Sequence, residues 1–331
     1  MKVFLYGVQE IEQSIFNKAN EKFNYELTFT DKLLKPETIE MAKGHDVVVL
    51  MVNCNADKKA LQQFKDYGIN ILLTRTVGTN HIDIETLKKL EFKSGRVPSY
   101  SPNAVSDLAF STGMALLKNI FLMYDNFKNQ NFFVYPNTIS KEARLSTIGI
   151  LGTGRIGLET AKVWKGTGAK VLGYDPYPNK DAEDILTYVE LDEILKQSDL
   201  ITIHLPYIPG VNKHFINKEK IEKMKDGVIL VNTSRGELFD LEAITEALRT
   251  NKIKGLSLDV VENETDLFFN KWNYNMPNST YKALVTEFNS RVIITPHIAY
   301  FTYEAVKNMA DTTFTNLHQI LITGICDNSI D

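Results

Sequence analysis

Thr147-Ile-Gly-Ile-Leu-Gly-Thr-Gly-Arg-Ile-Gly157, continued further on by Lys170-Val-Leu-Gly-Tyr-Asp175, decides the fold. Thr147 to Leu151 reads as a buried strand and Leu158 to Lys165 as a helix, with Gly152, Gly154 and Gly157 forming a G-x-G-x-x-G array at the turn between them. Gly152 permits the tight turn, Gly154 lets backbone approach a pyrophosphate, and Gly157 allows close packing of helix on strand. The helix start adds unpaired N–H groups and a partial positive charge. Asp175 ends the next short strand, about 20 residues on, where an acidic side chain accepts hydrogen bonds from a ribose 2′-hydroxyl and repels a 2′-phosphate. The segment therefore predicts a dinucleotide site that prefers NAD to NADP.

Working outward, the same alternation of strand and helix continues on both sides. Downstream strands are expected at Leu200–His204, Val228–Val231, Leu256–Leu258 and Val292–Ile294, making six with Thr147–Leu151 and Val171–Tyr174. Upstream, Val3–Tyr6, Val47–Val52 and Ile71–Thr74 are β-rich runs separated by helical spacing at Glu10–Lys18 and Lys58–Tyr67. Such alternation means parallel sheets covered on both faces. Ser101-Pro102 reads as a helix start, and the apolar stretch from Ala104 to Met123 as one helix whose several apolar faces need burial, between domains or against a second subunit. Residues 265–290 read as a long loop with short helical turns. A last helix over Thr302–Ile322 is expected to cross back to the first domain. The expected division is residues 1–100 with 300–331 as a discontinuous catalytic domain and 101–299 as the nucleotide domain.

At 331 residues the chain is long for a single core, and 44% hydrophobic with 24% charged residues is ordinary for a globular protein. A net charge of −4 offers no electrostatic footprint for nucleic acid or an anionic membrane. The opening MKVFLYGVQE is too short an apolar run for a signal peptide, and no stretch approaches a membrane span. Two cysteines, Cys54 and Cys326, form no disulfide framework and suit a reducing, cytoplasmic setting. No pair of histidines or cysteines has metal-ligand spacing, so no metal is expected.

Three polar residues follow the ends of successive strands: Arg235 after Val228–Val231, Glu264 after Leu256–Leu258, and His297 after Val292–Ile294. In an open parallel sheet, ligands bind outside the carboxyl ends of strands, so the three can converge. Arginine offers a carboxylate a bidentate cation. Histidine is the usual proton donor near neutral pH, and a neighbouring carboxylate orients it. Together they suit reduction of a 2-oxo acid. In the first domain, Arg75-Thr-Val-Gly-Thr-Asn80 follows a strand, and Gly78 lets backbone N–H groups approach an anion. His81 is expected to support that loop, and His204 to line the cofactor cleft.

The chain resembles the D-isomer-specific 2-hydroxyacid dehydrogenases, especially their D-lactate and D-2-hydroxyisocaproate branch. The resemblance rests on RTVGTNHID (75–83), VPSYSPNAVSDLA (97–109), the glycine array with YDPYP (174–178), HLPYIPGVNKHFIN (204–217), MKDGVILVNTSRGELFDLEA (224–243), LDVVENE (258–264) and TPHIAYFTYEAVKNM (295–309). It implies two doubly wound α/β domains, one Rossmann and one flavodoxin-like, with a hinged cleft. It implies a homodimer through helix 104–123, NAD as cofactor, and Arg235, Glu264 and His297 as catalytic residues. Arg155, Ile156, Asp175, Pro206, Asn212, Thr233, Ser234 and Asp259 are implied cofactor contacts. Val77 and Gly78 are implied to bind the substrate carboxylate by their backbone, with Tyr100, Met51 and Tyr300 at the substrate pocket. Departures from the family pattern are Val261 and Asn263 in place of an aromatic and a glycine, Asp107 for a glutamate, Met51 for a tyrosine, and the order Tyr300–Phe301.

The reading is an NADH-dependent reductase giving (R)-2-hydroxy acids, with pyruvate and branched or aromatic 2-oxo acids as leading substrates. An (R)-2-hydroxyglutarate-type dicarboxylate enzyme needs a second cation, for which Arg96 is the candidate. Another class is an NAD-sensing, corepressor-like binding protein, expected to carry flanking interaction segments. Formate dehydrogenases carry glutamine where Glu264 stands.

Overall fold

The computed structural model describes residues 1–330 except 269, 270, 273, 274 and 277. The chain divides into two compact units, Met1–Ser101 with Tyr300–Asp331, and Pro102–Ala299. The first unit opens with β1 (Lys2–Leu5), α1 (Glu10–Asn20), β2 (Glu26–Phe29), β3 (Val47–Leu50), α2 (Lys58–Asp66), β4 (Ile71–Thr74), α3 (Ile84–Lys89) and β5 (Lys93–Arg96). All five strands are parallel, in the order β2-β1-β3-β4-β5, which is the flavodoxin-like winding. The central strands β3 (VVVL) and β4 (ILLT) are buried throughout, as a sheet covered on both faces requires. Asp57 and Asp83 cap α2 and α3 by accepting from Ala60 N and Thr86 N. The edge strands β2 (ELTF) and β5 (KSGR) lack a continuous apolar run, so they carry no strand signal in the sequence.

The second unit runs α4 (Pro102–Leu117), α5 (Ile120–Lys128), β6 (Thr147–Leu151), α6 (Arg155–Gly166), β7 (Lys170–Tyr174), β8 (Thr187–Tyr188), α7 (Leu191–Gln197), β9 (Leu200–Ile203), α8 (Lys218–Lys223), β10 (Val228–Asn232), α9 (Leu241–Arg249), β11 (Ile253–Leu258), α10 (Ser279–Thr286) and β12 (Val292–Ile294). Among the described residues its parallel sheet has seven strands in the order β12-β11-β10-β9-β6-β7-β8, the Rossmann winding extended by β12. Six strands were expected. The seventh, β8, is a two-residue edge pairing with β7, too short to show a periodicity. Helix α4 lies tight on the sheet, because a Cβ on Gly113 would sit 2.9 Å from Leu200 and 3.2 Å from Trp164.

The single helix expected over 104–123 is two helices. Asn119 takes a left-handed conformation (φ 55°), and its buried amide donates to the carbonyls of Thr138 and Ile139 at 2.9 and 3.0 Å. Those bonds anchor the following arm and end α4, an outcome that apolar spacing does not encode. Over 265–290, read as a loop with short helical turns, the described residues show a short turn at Glu264–Asp266 and the eight-residue α10, capped by Asn278. Residues 269, 270, 273, 274 and 277 of that stretch lie outside the described residues.

The chain closes on α11 (Tyr303–Thr323), capped by Thr302 and ended by Gly324 at φ 87°. Val306, Ala310, Phe314, Leu317 and Ile320 of α11 pack with Val3, Leu5, Phe16 and Val47 in one core cluster of the first unit. Among the described residues, no helix is long and apolar enough to cross a membrane, and no group of three or more side chains could hold a metal ion.

Candidate active site and nucleotide site

The three glycines after β6 behave differently. Gly152 sits at φ 91°, and a Cβ there would lie 2.7 Å from the His204 backbone. A Cβ on Gly157 would lie 1.9 Å from the Gly152 carbonyl oxygen, so only glycine lets α6 approach the strand end. Gly154 caps α6, and nothing lies within 4 Å of the Cβ it lacks. Its open side, with the unpaired N–H groups of the first turn at Arg155 and Ile156, forms a cradle for an anion. Asp175 follows β7, and its carboxylate accepts from Thr153 N (2.7 Å), Thr153 Oγ1 (3.2 Å) and Tyr177 N (2.9 Å). The acidic residue is thus bound to the glycine turn itself.

Further along the strand ends, Asn212 donates to the Pro206 carbonyl and accepts from Ile208 N, closing the 206–212 loop. Thr233 is buried, and among the described residues its hydroxyl has no partner. Such an orphaned hydroxyl, an open glycine cradle and an acidic strand end are what a bound dinucleotide needs, so the residues present fit NAD. His204 is held neutral beside the same turn. Burial pushes its pKa down to about 3, and its Nε2 lies 3.0 Å from Thr202 Oγ1.

Arg235, Glu264 and His297 all stand on loops of the second unit at the ends of β10, β11 and β12. The buried side chain of Asn232 organises the first loop. Its Oδ1 accepts from Ser234 N and Oγ, and its Nδ2 donates to the Arg235 carbonyl at 2.9 Å. Arg235 is partly exposed and donates to the Ser234 carbonyl. A Cβ on Gly236 would lie 2.0 Å from Val261 C and 2.3 Å from Glu262 N, so the arginine turn packs directly on the segment leading to Glu264. Asn263 adopts φ 55°, a conformation asparagine tolerates better than most residues, which explains how it replaces glycine here.

His297 is the other left-handed residue of the site, at φ 53°. Its N–H donates to the Asp259 carbonyl at 2.8 Å, and its Nδ1 lies 2.6 Å from Glu264 Oε1. Both side chains are mostly buried, 15% and 17% exposed. With Nδ1 turned to Glu264, Nε2 remains to meet a reacting group. Asp259 is 1% exposed, and its carboxylate accepts from Thr295 Oγ1 (2.6 Å), Ile298 N (2.8 Å) and Ala299 N (2.9 Å). Asp259, expected as a cofactor contact, thus holds the His297 turn.

In the first unit, Val77 and Gly78 lie on the loop after β4. Thr76 Oγ1 donates to the Gly78 carbonyl at 2.7 Å, and Arg96 Nη1 to the Val77 carbonyl at 3.0 Å. Arg75 heads the same loop but is wholly buried, paired with Glu12 at 2.5 Å, and donates to the Gly7 carbonyl. His81 Nε2 lies 3.1 Å from Thr74 Oγ1. Tyr100 and Tyr300 meet edge to face, with ring centroids 6.3 Å apart. Tyr300 packs against the cluster that buries Met51.

Hydride-transferring dehydrogenases are the enzyme class that joins such a nucleotide unit to a histidine–carboxylate pair on the same sheet. Residues 110–299 match the model of the D-isomer specific 2-hydroxyacid dehydrogenase NAD binding domain. An aromatic 2-oxoacid reductase of Clostridium sporogenes is 38% identical over 330 residues, 99% of this chain and 98% of that protein. The D-lactate dehydrogenase of Escherichia coli is 35% identical over the full length of both chains. The crystal structure of a D-lactate dehydrogenase from Treponema pallidum superimposes with a TM-score of 0.88 at 34% identity, covering 100% of both chains. The chain belongs to the D-isomer-specific 2-hydroxyacid dehydrogenase family and is an NAD-dependent 2-hydroxyacid dehydrogenase.

Proposed function

We propose that the enzyme reduces small 2-oxo acids to (R)-2-hydroxy acids, with pyruvate and aromatic or branched 2-oxo acids as its substrates. The observation that carries this reading is the 2.6 Å pairing of His297 Nδ1 with Glu264 Oε1, one strand end beyond the arginine turn. When bound, NADH supplies the hydride. The guanidinium of Arg235 clamps the substrate carboxylate and polarises the keto group. Nε2 of His297 delivers a proton to the developing alkoxide, while Glu264 fixes the ring and balances the charge of the imidazolium. Gly152, Gly154 and Gly157 with Arg155, Ile156, Asp175, Pro206, Asn212, Thr233 and Ser234 hold the cofactor, and Asp259 holds the proton donor's turn. Backbone N–H groups at Val77 and Gly78 bind the substrate carboxylate, and Tyr100, Tyr300 and Met51 select the substrate tail. Residues 101–299 act as the NAD-binding domain and residues 1–100 with 300–331 as the catalytic domain. Relatives named for aromatic 2-oxo acids and for D-lactate support both ends of the substrate range.

The enzyme assembles as a homodimer. Helix α4 buries its apolar face within its own unit, whereas α5 buries none of its residues. Phe121, Tyr124 and Phe127 of α5, with Phe132, Phe133 and Val134 of the arm, form the exposed apolar surface that a second copy covers. Both free thiols are buried, which suits the reducing cytoplasm.

A panel of pyruvate, 2-oxoisocaproate, phenylpyruvate and 2-oxoglutarate at fixed NADH, with chiral analysis of products, tests the activity. Turnover confined to 2-oxoglutarate, an (S)-product, or NADH binding without turnover would each overturn this reading. Sedimentation of Phe132→Ser/Phe133→Ser should convert a dimer to a monomer.

A further inference from the structure

We propose that Arg96 is a positioning residue that orients and strengthens the carboxylate-binding amide of Gly78, an inference that rests on the reading of the Val77–Gly78 loop as the substrate carboxylate site. Arg96 ends β5 in register with Thr74, the last residue of β4, so it lies at the root of the loop that β4 launches. Its backbone is fixed on both sides. Arg96 N donates to the Asn328 carbonyl, and the Arg96 carbonyl accepts from Asn316 Nδ2 at 2.8 Å. From this anchored position its Nη1 donates to the Val77 carbonyl at 3.0 Å.

The carbonyl of Val77 and the N–H of Gly78 belong to one planar trans peptide, and they point in opposite directions. A cation bound to that oxygen therefore dictates where the Gly78 N–H points. It also polarises the amide, which makes the N–H a stronger donor. The next peptide is held in the same manner, since Thr76 Oγ1 donates to the Gly78 carbonyl at 2.7 Å. Loop and strand are further tied by Val97 N donating to the Thr76 carbonyl. Among the described residues no carboxylate forms an ion pair with Arg96, so its charge is not cancelled locally and favours an anion bound on the far side of the peptide. This use of Arg96 differs from service as a direct second cation for a dicarboxylate.

The test compares Arg96→Gln, Arg96→Lys and Gly78→Pro in the full-length enzyme. Each is assayed for kcat and KM on an accepted 2-oxo acid, for KM of NADH, and for the dissociation constant of oxamate, a carboxylate-bearing isostere of pyruvate, at saturating NADH. In Arg96→Gln the KM of the oxo acid and the oxamate constant should both rise about tenfold, the scale of one charge-assisted hydrogen bond, with kcat within about twofold and the KM of NADH unchanged. Arg96→Lys, which keeps a charged donor, should recover part of the loss. Gly78→Pro removes the N–H outright and should raise the same two constants further. A rise in Gly78→Pro alone would overturn the role of Arg96 while the loop reading stands. No change in either variant would overturn both. A fall in kcat and melting temperature at constant KM would make Arg96 merely structural. Should Arg96→Gln not fold, Arg96→Met removes the same donor and is judged by the same outcomes.

Discussion

Nδ1 of His297 and Oε1 of Glu264 are 2.6 Å apart, although 33 residues separate them in the chain. A bond this short between two mostly buried groups fixes the ring orientation and leaves Nε2 as the only imidazole nitrogen for chemistry. Replacing Glu264 with Gln keeps shape and hydrogen bonding but removes the charge that accompanies protonation of the ring. We expect kcat for 2-oxo acid reduction to fall on the order of 10²-fold, the usual weight of oriented acid–base catalysis. Dissociation of NADH, followed by fluorescence, should be unchanged. A variant with wild-type kcat would remove Glu264 from the mechanism.

Gly236 and Gly154 make a contrasting pair. A methyl group on Gly236 would lie 2.0 Å from Val261 C, and backbone cannot swing aside as a side chain would. Gly236→Ala must therefore push the Arg235 turn away from the segment that carries Glu264. A displacement near 1 Å costs on the order of 10²-fold in kcat/KM, and the melting temperature should also drop. Gly154→Ala meets open space in the protein. It should leave the melting temperature of the free enzyme unchanged yet weaken NADH binding, because the methyl would occupy the proposed pyrophosphate cradle. Equal melting temperatures for both variants would contradict the steric argument.

Asp175 holds the glycine turn through Thr153, and in the proposed reading it also accepts from the ribose of the cofactor. Asp175→Ala removes an acceptor of both and the repulsion of a 2′-phosphate. The ratio of kcat/KM for NADH over NADPH should fall about 10- to 100-fold, as the loss of a charged hydrogen-bond acceptor predicts. An unchanged ratio would put cofactor choice elsewhere.

The parts of this site that could be read from sequence are those forced by sterics or by strand ends. Gly152 and Gly157 face backbone closer than any side chain allows, and the sequence pattern of glycines reports that directly. Arg235, Glu264 and His297 each follow an apolar strand, so parallel winding sets all three at one end of the sheet, where Glu264 meets His297. What escaped depends on tertiary partners that carry no local signature. Asp259 sits in an acidic run that looks solvated, yet it is buried by the His297 turn 36 to 40 residues downstream. Arg75 sits in an anion-loop motif, yet it is sequestered by Glu12. Asn119 breaks an apolar helix because the arm at Thr138 and Ile139 needs its amide. Strands β5 and β8 pair at sheet edges with too few apolar residues to announce themselves.

His204 makes stability depend on pH. Burial lowers its folded pKa to about 3, while an unfolded imidazole titrates near 6.5. Between those values the unfolded chain binds one more proton than the native one. The neutral His204 thus contributes no penalty above about pH 6.5, and stability is lost progressively as pH falls from there toward 3. From pH 7 to pH 5 the loss amounts to about 2 kcal/mol from this residue. His204→Gln retains a polar group within reach of Thr202 and has no proton to gain in this range. Its melting temperature should therefore fall less steeply with acidification than that of the wild type, by a few degrees over the interval. Bound NADH should raise both curves without changing the difference in slope. Parallel melting curves for the two proteins between pH 7 and 5 would show that His204 is not kept neutral by its surroundings.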